Sequence, residues 1–263
     1  MIDATMFGGD IAGFFLWWAL VLAAHLAVIF PVGFVLTALN KRHPDRRIQK
    51  RTGEHRTNKE ILAAMPAVIT SSGLLSFGMF AQAKGWTIAP YGLTDWQAYL
   101  CLLASMALFD AWFFFAHWGL HTKPLYPFHL LHHRSVAPTP WSNDSSSVVD
   151  TLLSHSFYAL VLFVLPLPIE LLIVHRLYDQ VTGMIGHSGF EFFASRSARW
   201  PSIMVCTTYH DLHHSEFHYN FGNFTSMWDR LFGTLHPNYD QIVREIEETG
   251  TTEPARRLAK VKR

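Results

Sequence analysis

Histidines at metal-ligand spacing are the most distinctive feature of this sequence. The segment HWGLHTKPLYPFHLLHH, residues 117–133, holds five histidines, and HDLHH, residues 210–214, repeats the H-x-x-H-H spacing of the last three. Neutral imidazole is a good ligand for iron, zinc, copper and nickel. A lone histidine on an apolar face is usually a packing residue. Three clusters at ligand spacing favour a metal site over that alternative.

Helix geometry makes this a prediction of two metals. Side chains four residues apart lie about 40° apart around a helix, so His117 and His121 can bind one ion. Adjacent side chains such as His132 and His133 diverge by about 100° and suit two neighbouring ions better than one. Eight imidazoles also exceed what one tetrahedral or octahedral ion accepts. The candidate ligands in the clusters are His117, His121, His129, His132, His133, His210, His213 and His214.

Two further histidines are candidate ligands. His187 lies among closely spaced glycines in the segment VTGMIGHSGFE, which suggests a close backbone approach to the site. His218 follows His214 by four residues and is within reach of the same metal, although its neighbours are typical of a turn. An outer position for His218 is an equal alternative.

Two aspartates are candidate supporting residues of a catalytic site. Asp110 lies inside an apolar segment, where a charge is costly, and shares a helix face with His117 and His121. We expect it either to accept a hydrogen bond from a ligand's free ring N–H or to make a polar packing contact. Asp211 lies between ligands and could orient an imidazole.

The composition predicts a membrane protein. Half of the 263 residues are hydrophobic, 16% are charged, and three long apolar segments cover residues 11–39, 61–83 and 96–116. The most basic segment, residues 41–59, follows the first span, so the positive-inside rule places this loop and the histidine clusters in the cytoplasm. The two cysteines are far apart and exclude a cysteine-rich metal site.

Residues 152–178 are predicted to form a hairpin around Pro166 and Pro168. A single crossing would put HDLHH on the opposite side from the other clusters, and each arm of about 13 residues is shorter than a ~30 Å bilayer core. The predicted fold is therefore all-α: an integral membrane bundle of three spans plus a re-entrant or shallow helical hairpin, with a cytoplasmic histidine-rich helical cap. We expect N-terminal spans in 1–95, a catalytic domain in 96–240 and a cytoplasmic tail in 241–263.

The series HWGLH, HLLHH and HDLHH, with GHSGFE between and NFG…WDRLFGT after, resembles the fatty acid hydroxylase / sterol desaturase superfamily of membrane non-haem diiron enzymes. The resemblance covers about residues 110–234. It implies two irons held by the histidines of the boxes and by His187, and O2 activated to attack a lipid C–H bond. Many members carry His-Pro-(Leu/Val)-Glu after the second box, where this chain has Ser147-Val148-Val149-Asp150. That departure puts the substrate class in doubt more than the metal site.

The resemblance implies an oxidoreductase that hydroxylates or desaturates a sterol, fatty acyl or related lipid. The sequence contains no dinucleotide fingerprint and no cysteine cluster, so electrons would come from a separate ferredoxin, cytochrome or reductase. Nothing in it indicates a nucleic-acid partner. Spacing alone leaves open a two-zinc membrane hydrolase or isomerase, because imidazole binds both metals, and a non-enzymatic metal carrier. The absence of sorting signals favours a bacterial inner membrane.

Overall fold

The computed structural model describes residues 10–90 and 92–259, and all regular secondary structure in these ranges is helical. Residues 1–9 and 91 of the first predicted domain and residues 260–263 of the last lie outside the described residues. Within the described part, three helices are long and apolar enough to cross a membrane. They are α1 (Ile11–Arg42), α2 (Thr57–Ala83) and α3 (Asp95–Leu120). The predicted all-α fold with three spans is confirmed, and the chain is a membrane protein.

Local signals set the ends of these helices. The Asp10 carboxylate accepts a hydrogen bond from the Gly13 N–H at 2.8 Å and caps the first turn of α1. Lys41 and Arg42 occupy its last turn, where positive charge is favourable. α3 begins after Thr94 in a capping box with Gln97. These caps place the start of α3 and the end of α1 close to where the sequence predicts them.

The chain reverses direction at Pro166 and Pro168, as predicted. α4 (Tyr126–His133) precedes this hairpin. Its first arm comprises α5 (Val148–His155) and α6 (Phe157–Leu160), and its second is α7 (Ile169–Gly186). The Leu167 carbonyl at the turn accepts a hydrogen bond from the Gln82 side chain at 2.9 Å, at the last turn of α2. The hairpin therefore reaches the far end of α2. Its second arm is longer than predicted, because α7 continues to Gly186, beyond the predicted segment 152–178.

The histidine-bearing end of the bundle is covered by short helices. These are α8 (Thr207–Glu216), α9 (Met227–Phe232), α10 (Tyr239–Thr249) and α11 (Glu253–Leu258). Ile242, Val243 and Ile246 of α10 are buried against Tyr209 and Leu212 of α8. This part of the predicted tail therefore belongs to the core of the cap. A separate apolar core joins the long helices to the hairpin.

The basic segment 41–59 is attached to the same end of the molecule. The Ile48 N–H donates to the Gly189 carbonyl at 3.0 Å, and the Glu191 N–H donates to the Arg46 carbonyl at 2.9 Å. The Arg256 guanidinium also donates to the Ile48 carbonyl at 3.0 Å. The loop between α1 and α2 is thus bonded to the segment that follows His187 and to the C-terminal helices.

Candidate metal centre

Nine of the ten predicted ligands converge in two groups among the described residues. Within each group, the candidate ligand atoms all lie within 4.8 Å of one another. The first group, called here the five-histidine group, contains His117, His121, His129, His133 and His213. The second, called the four-histidine group, contains His132, His187, His210 and His214. His218 belongs to neither group, and its side chain is exposed.

Helix periodicity explains which histidines share a group. The three pairs spaced by four residues each stay together, because their side chains lie on one face: His117 with His121, His129 with His133, and His210 with His214. The adjacent histidines separate, because their side chains diverge. His132 and His133 therefore belong to different groups, as do His213 and His214. α4 and α8 each contribute ligands to both groups.

Hydrogen bonds fix the tautomer of four of these imidazoles. In each, Nδ1 lies within 2.9 Å of an oxygen that can only accept, so Nδ1 carries the proton and Nε2 keeps its lone pair. The pairs are His117 with the Phe221 carbonyl, His129 with the Asp150 carboxylate, His187 with the Gly183 carbonyl and His213 with the Tyr219 carbonyl. Outer acceptors of this kind orient metal-binding histidines and raise their basicity.

The Nε2 atoms then face one another in a pattern that hydrogen bonds cannot satisfy. His133 Nε2 lies 3.0 Å from His121 Nε2 and 3.2 Å from His213 Nε2. His210 Nε2 lies 2.9 Å from His187 Nε2 and 3.1 Å from His214 Nε2. One imidazole nitrogen carries one proton or one lone pair and cannot serve two such neighbours.

A shared cation accounts for these contacts. Two nitrogens bound to one ion at about 2.1 Å are about 3.0 Å apart at a right angle and about 3.4 Å apart at a tetrahedral angle. The observed separations of 2.9–3.2 Å fit the right angle better. In addition, Nε2 of His117 and Nε2 of His129 are buried and have no hydrogen-bond partner among the described residues. The residues present therefore fit two metal ions.

Burial keeps these imidazoles in the neutral form that a metal requires. It lowers the pKa of His121 to about 3 and that of His187 to about 4, with neighbouring histidines adding to the effect at His121. Burial likewise holds the pKa values of His132, His210 and His214 well below the ordinary range. Protons compete weakly for these nitrogens near neutral pH.

Asp150 is a candidate site residue that the sequence reasoning missed. Its Oδ2 accepts the hydrogen bond from His129 Nδ1 at 2.7 Å, and both side chains are buried. Its backbone N–H is capped by the Ser147 hydroxyl at 3.1 Å, which fixes the first turn of α5. The segment Ser147–Asp150 is where the chain departs from the family pattern, so the departure bears directly on the metal site. A carboxylate at the start of the helix after the second box was the available signal.

The two predicted aspartates have different positions. Asp110 does not contact an imidazole: its carboxylate accepts from the Phe224 N–H at 2.9 Å and from the Thr225 N–H and hydroxyl at 3.1 and 2.5 Å. It thereby ties α3 to the loop before α9. Asp211 lies beside the four-histidine group in sequence and accepts from the Gln49 side chain at 3.0 Å. Burial raises the pKa of Asp211 to about 7.

Two further carboxylates hold the loops that carry site residues. Asp229, within WDRLFGT, accepts from the N–H groups of Phe221 and Gly222 at 2.8 Å, and so positions the Phe221 carbonyl that bonds His117. Glu191, within GHSGFE, accepts from the Thr208 N–H at 2.7 Å and from its hydroxyl at 2.6 Å. It caps the start of α8, the helix that carries HDLHH.

A cavity of about 600 Å³ adjoins both groups. Its volume lies within the range of small-molecule sites. Its wall includes His117 and His129 of the five-histidine group and His132 of the four-histidine group. Phe113, Phe224 and the exposed Phe193 supply apolar parts of the wall.

Comparisons with known proteins identify relatives of this chain. The chain is similar to Delta(7)-sterol 5(6)-desaturases of Leptosphaeria maculans (29% identity, 58% of this chain and 42% of the relative) and Saccharomyces cerevisiae (32%, 53% and 38%). It is also similar to a very-long-chain aldehyde decarbonylase of Arabidopsis thaliana (28%, 52% and 24%). The chain thus matches half or less of the length of these relatives. All three come from eukaryotes, so they do not support the predicted bacterial inner membrane.

A model of the fatty acid hydroxylase family matches residues 102–234, slightly more than half of the chain. No solved structure gives a significant match. The matched region contains the three boxes, His187 and the WDRLFGT segment. The chain therefore belongs to the fatty acid hydroxylase / sterol desaturase superfamily.

Proposed function

We propose that the chain is a membrane-bound, iron-dependent oxidoreductase that uses O2 to hydroxylate or desaturate a C–H bond of a lipid. The observation that carries the proposal is the pair of imidazole groups beside one cavity, with ligand tautomers fixed by hydrogen bonds. Relatives named as sterol desaturases and as an aldehyde decarbonylase support a lipid substrate and an oxidative reaction.

The chain's own residues would bind the metals, orient the ligands and exclude water. The nine grouped histidines would hold two irons, which when bound supply the redox chemistry that acid–base side chains lack. Asp150 and the Phe221 carbonyl would keep Nε2 of His129 and of His117 free to bind metal. Phe113 and Phe224 would provide an apolar wall for the lipid beside the metals.

The same imidazoles could in principle bind zinc, so the metal must be argued separately. Catalytic zinc sites usually have three protein ligands and tetrahedral angles. Groups of five and four histidines with nitrogens near right-angle spacing favour ions of higher coordination number. This supports iron over the two-zinc hydrolase.

We further propose that the site lies on the cytoplasmic side and receives electrons from a separate donor. The basic segment 41–59 is bonded to the cap, so the positive-inside rule applies to the same end as the histidines. A ferredoxin, cytochrome or reductase would then approach the cytoplasmic surface of the cap.

The proposal is tested by lipid mass spectrometry of cells expressing the wild type or His132→Ala under labelled dioxygen. His218→Ala is the matched control, because His218 is exposed and outside both groups. We expect a lipid that gains one labelled oxygen, or loses two hydrogens, in the wild type and in His218→Ala but not in His132→Ala. Purified wild type should carry about two irons per chain. Identical lipids in all three strains, with iron and reductant supplied, would contradict the proposal.

A further inference from the structure

One part of the cap exposes large apolar side chains. Six of them define what we call the apolar rim: Phe193, Trp200, Met204, Met227, Leu231 and Phe232. Leu231 is 68% exposed and Trp200 is 62% exposed. A connected group of exposed apolar side chains is unusual on a surface that faces water and marks a site of contact with a partner or a membrane.

Two contacts join the two segments that carry the rim. The Ser226 N–H donates to the Ile203 carbonyl at 2.7 Å, which ties the segment before α8 to the start of α9. The Arg230 guanidinium of α9 lies 5.6 Å from the centre of the Trp200 ring. The rim is therefore one connected surface, in which α9 lies beside the segment that contains Trp200 and Met204.

α9 also packs beside the end of a membrane span. The Phe232 ring centre is 5.5 Å from that of Phe115 and 5.6 Å from that of Trp118. Phe115 and Trp118 lie in the last turns of α3 and are themselves exposed. α3 is long and apolar enough to cross a membrane. The apolar rim therefore continues the lipid-facing surface of a span.

The opposite surface of the cap has a different character. Among the described residues that follow Phe232, no large apolar side chain is exposed. α10 buries its apolar residues and exposes polar ones, among them Gln241, Arg244 and Glu248. The cap thus has one polar side and one apolar side, which is the arrangement of a structure that lies in a membrane interface.

The cavity beside the histidine groups reaches the apolar rim. Phe193 and Met204 belong to the rim and also line the cavity. Tyr178 of α7 likewise lines the cavity and is exposed, and it continues an exposed apolar stripe of α7 that includes Val174 and Leu177. The same side chains therefore belong to the cavity wall and to the apolar outer surface of the molecule.

We propose that the apolar rim is inserted into the lipid leaflet on the histidine side, and that the cavity opens sideways into this leaflet at Tyr178, Phe193 and Met204. Membrane lipid is the occupant of the rim, because the rim is continuous with the lipid-facing surfaces of α3 and α7. Trp200 and Arg230 would lie at the level of the head groups, where an indole ring and a guanidinium are both well solvated.

The inserted rim would supply a route for the substrate. A lipid would pass from the leaflet to the metals without exposing its apolar surface to water. This route rests on the proposed function, because it takes the substrate to be a membrane lipid. The insertion itself does not depend on the reaction that the metals catalyse.

The test places an environment-sensitive fluorophore on single introduced cysteines of the full chain in lipid nanodiscs. Leu231→Cys reports the position of α9, and Met204→Cys and Phe193→Cys report the mouth of the cavity. Gln241→Cys is the control on the polar side of the cap, and all four side chains are exposed. The unmodified chain corrects for labelling of the two native cysteines. Nanodiscs are prepared with and without lipids that carry a quenching nitroxide near the head-group end of the acyl chain.

We expect the nitroxide lipids to quench the three rim labels at least about threefold more strongly than the control label. Equal quenching of the Leu231→Cys and Gln241→Cys labels would overturn the insertion. Quenching of the Leu231→Cys label alone would show that the mouth of the cavity lies outside the lipid and would overturn the sideways opening. Blue-shifted emission of the rim labels without quenching would mean that protein covers the rim, which also contradicts the proposal.

This inference and the proposed function fail in different ways, because the quenching is measured without reductant or turnover. Quenched rim labels, combined with no oxidised lipid in cells, would support the insertion and overturn the proposed function. Oxidised lipid in cells, combined with unquenched rim labels, would do the reverse.

Discussion

Replacing Asp150 tests whether an outer acceptor maintains the five-histidine group. Asp150 Oδ2 accepts from His129 Nδ1 at 2.7 Å, and the pair is almost completely buried. In Asp150→Ala, His129 loses the partner that keeps the proton on Nδ1. Its Nε2 then holds the metal-binding lone pair for a smaller fraction of the time, and the ring is free to rotate.

The expected loss follows from the strength of this contact. Removing an outer acceptor from a metal-bound histidine typically weakens metal binding by about 10- to 100-fold, or about 1.4–2.7 kcal/mol. Asp150→Asn retains an oxygen that can accept but loses the charge, so its loss should be less than about tenfold. Ser154→Ala is the control, because the Ser154 hydroxyl donates to Oδ1 of Asp150 at 3.3 Å, whereas His129 bonds the other oxygen, Oδ2.

The assay is chelator competition on iron-loaded protein, with the bound metal counted by mass spectrometry. We expect one of the two metal equivalents of Asp150→Ala to leave at a 10- to 100-fold lower chelator concentration than in the wild type. Ser154→Ala should release both metals as the wild type does. If both equivalents in Asp150→Ala kept wild-type affinity, the assignment of Asp150 to the metal site would be refuted.

Two further predictions concern packing and the predicted role of Asp110. Gly78→Ala should lower the free energy of unfolding by about 1–3 kcal/mol in thermal unfolding, because a Cβ there would lie 2.6 Å from the Tyr158 carbonyl oxygen. Gly119→Ala is the control and should not destabilise, because its Cβ would meet nothing closer than 4.0 Å. Equal losses in the two variants would contradict this reasoning. Asp110→Ala should cost about 2–4 kcal/mol through the lost bonds to Phe224 and Thr225, yet weaken metal binding less than Asp150→Ala does. Metal loss at unchanged stability would instead indicate that Asp110 acts on a ligand.

Local periodicity explains why the spans and the sharing of ligands could be predicted. The apolar segments and the spacing of four residues are properties of single helices, and they need no knowledge of the tertiary fold. The divergence of His132 from His133 likewise follows from helix geometry, and the structure assigns these two residues to different groups. By contrast, the contact between His213 and His133 joins residues 80 positions apart in the sequence. It depends on the tertiary packing that brings α8 to α4, which the spacing within one helix cannot predict.

The backbone acceptors of the imidazole protons could not be predicted from the sequence. The Phe221 carbonyl bonds a histidine 104 residues earlier, and a backbone carbonyl leaves no trace in residue type. The residue types that indicate this contact are those that hold the carbonyl in place, Asp229 and the turn around Gly222. The second arm of the hairpin is longer than the predicted segment 152–178. α7 continues past the polar residues Asp179 and Gln180, and Asp179 lines a cavity inside the bundle.

The distribution of ligands over the helices links metal binding to the shape of the cavity. The five-histidine group draws on α3, α4 and α8, whereas the four-histidine group draws on α4, α8 and the end of α7 at His187. α7 also supplies Arg176 and Asp179 to the cavity wall. The second metal would therefore hold a helix that lines the cavity, and its loss would release the end of α7. Because α4 and α8 each carry ligands of both groups, filling one group also positions the adjacent histidines of the other, and the two metals should bind cooperatively.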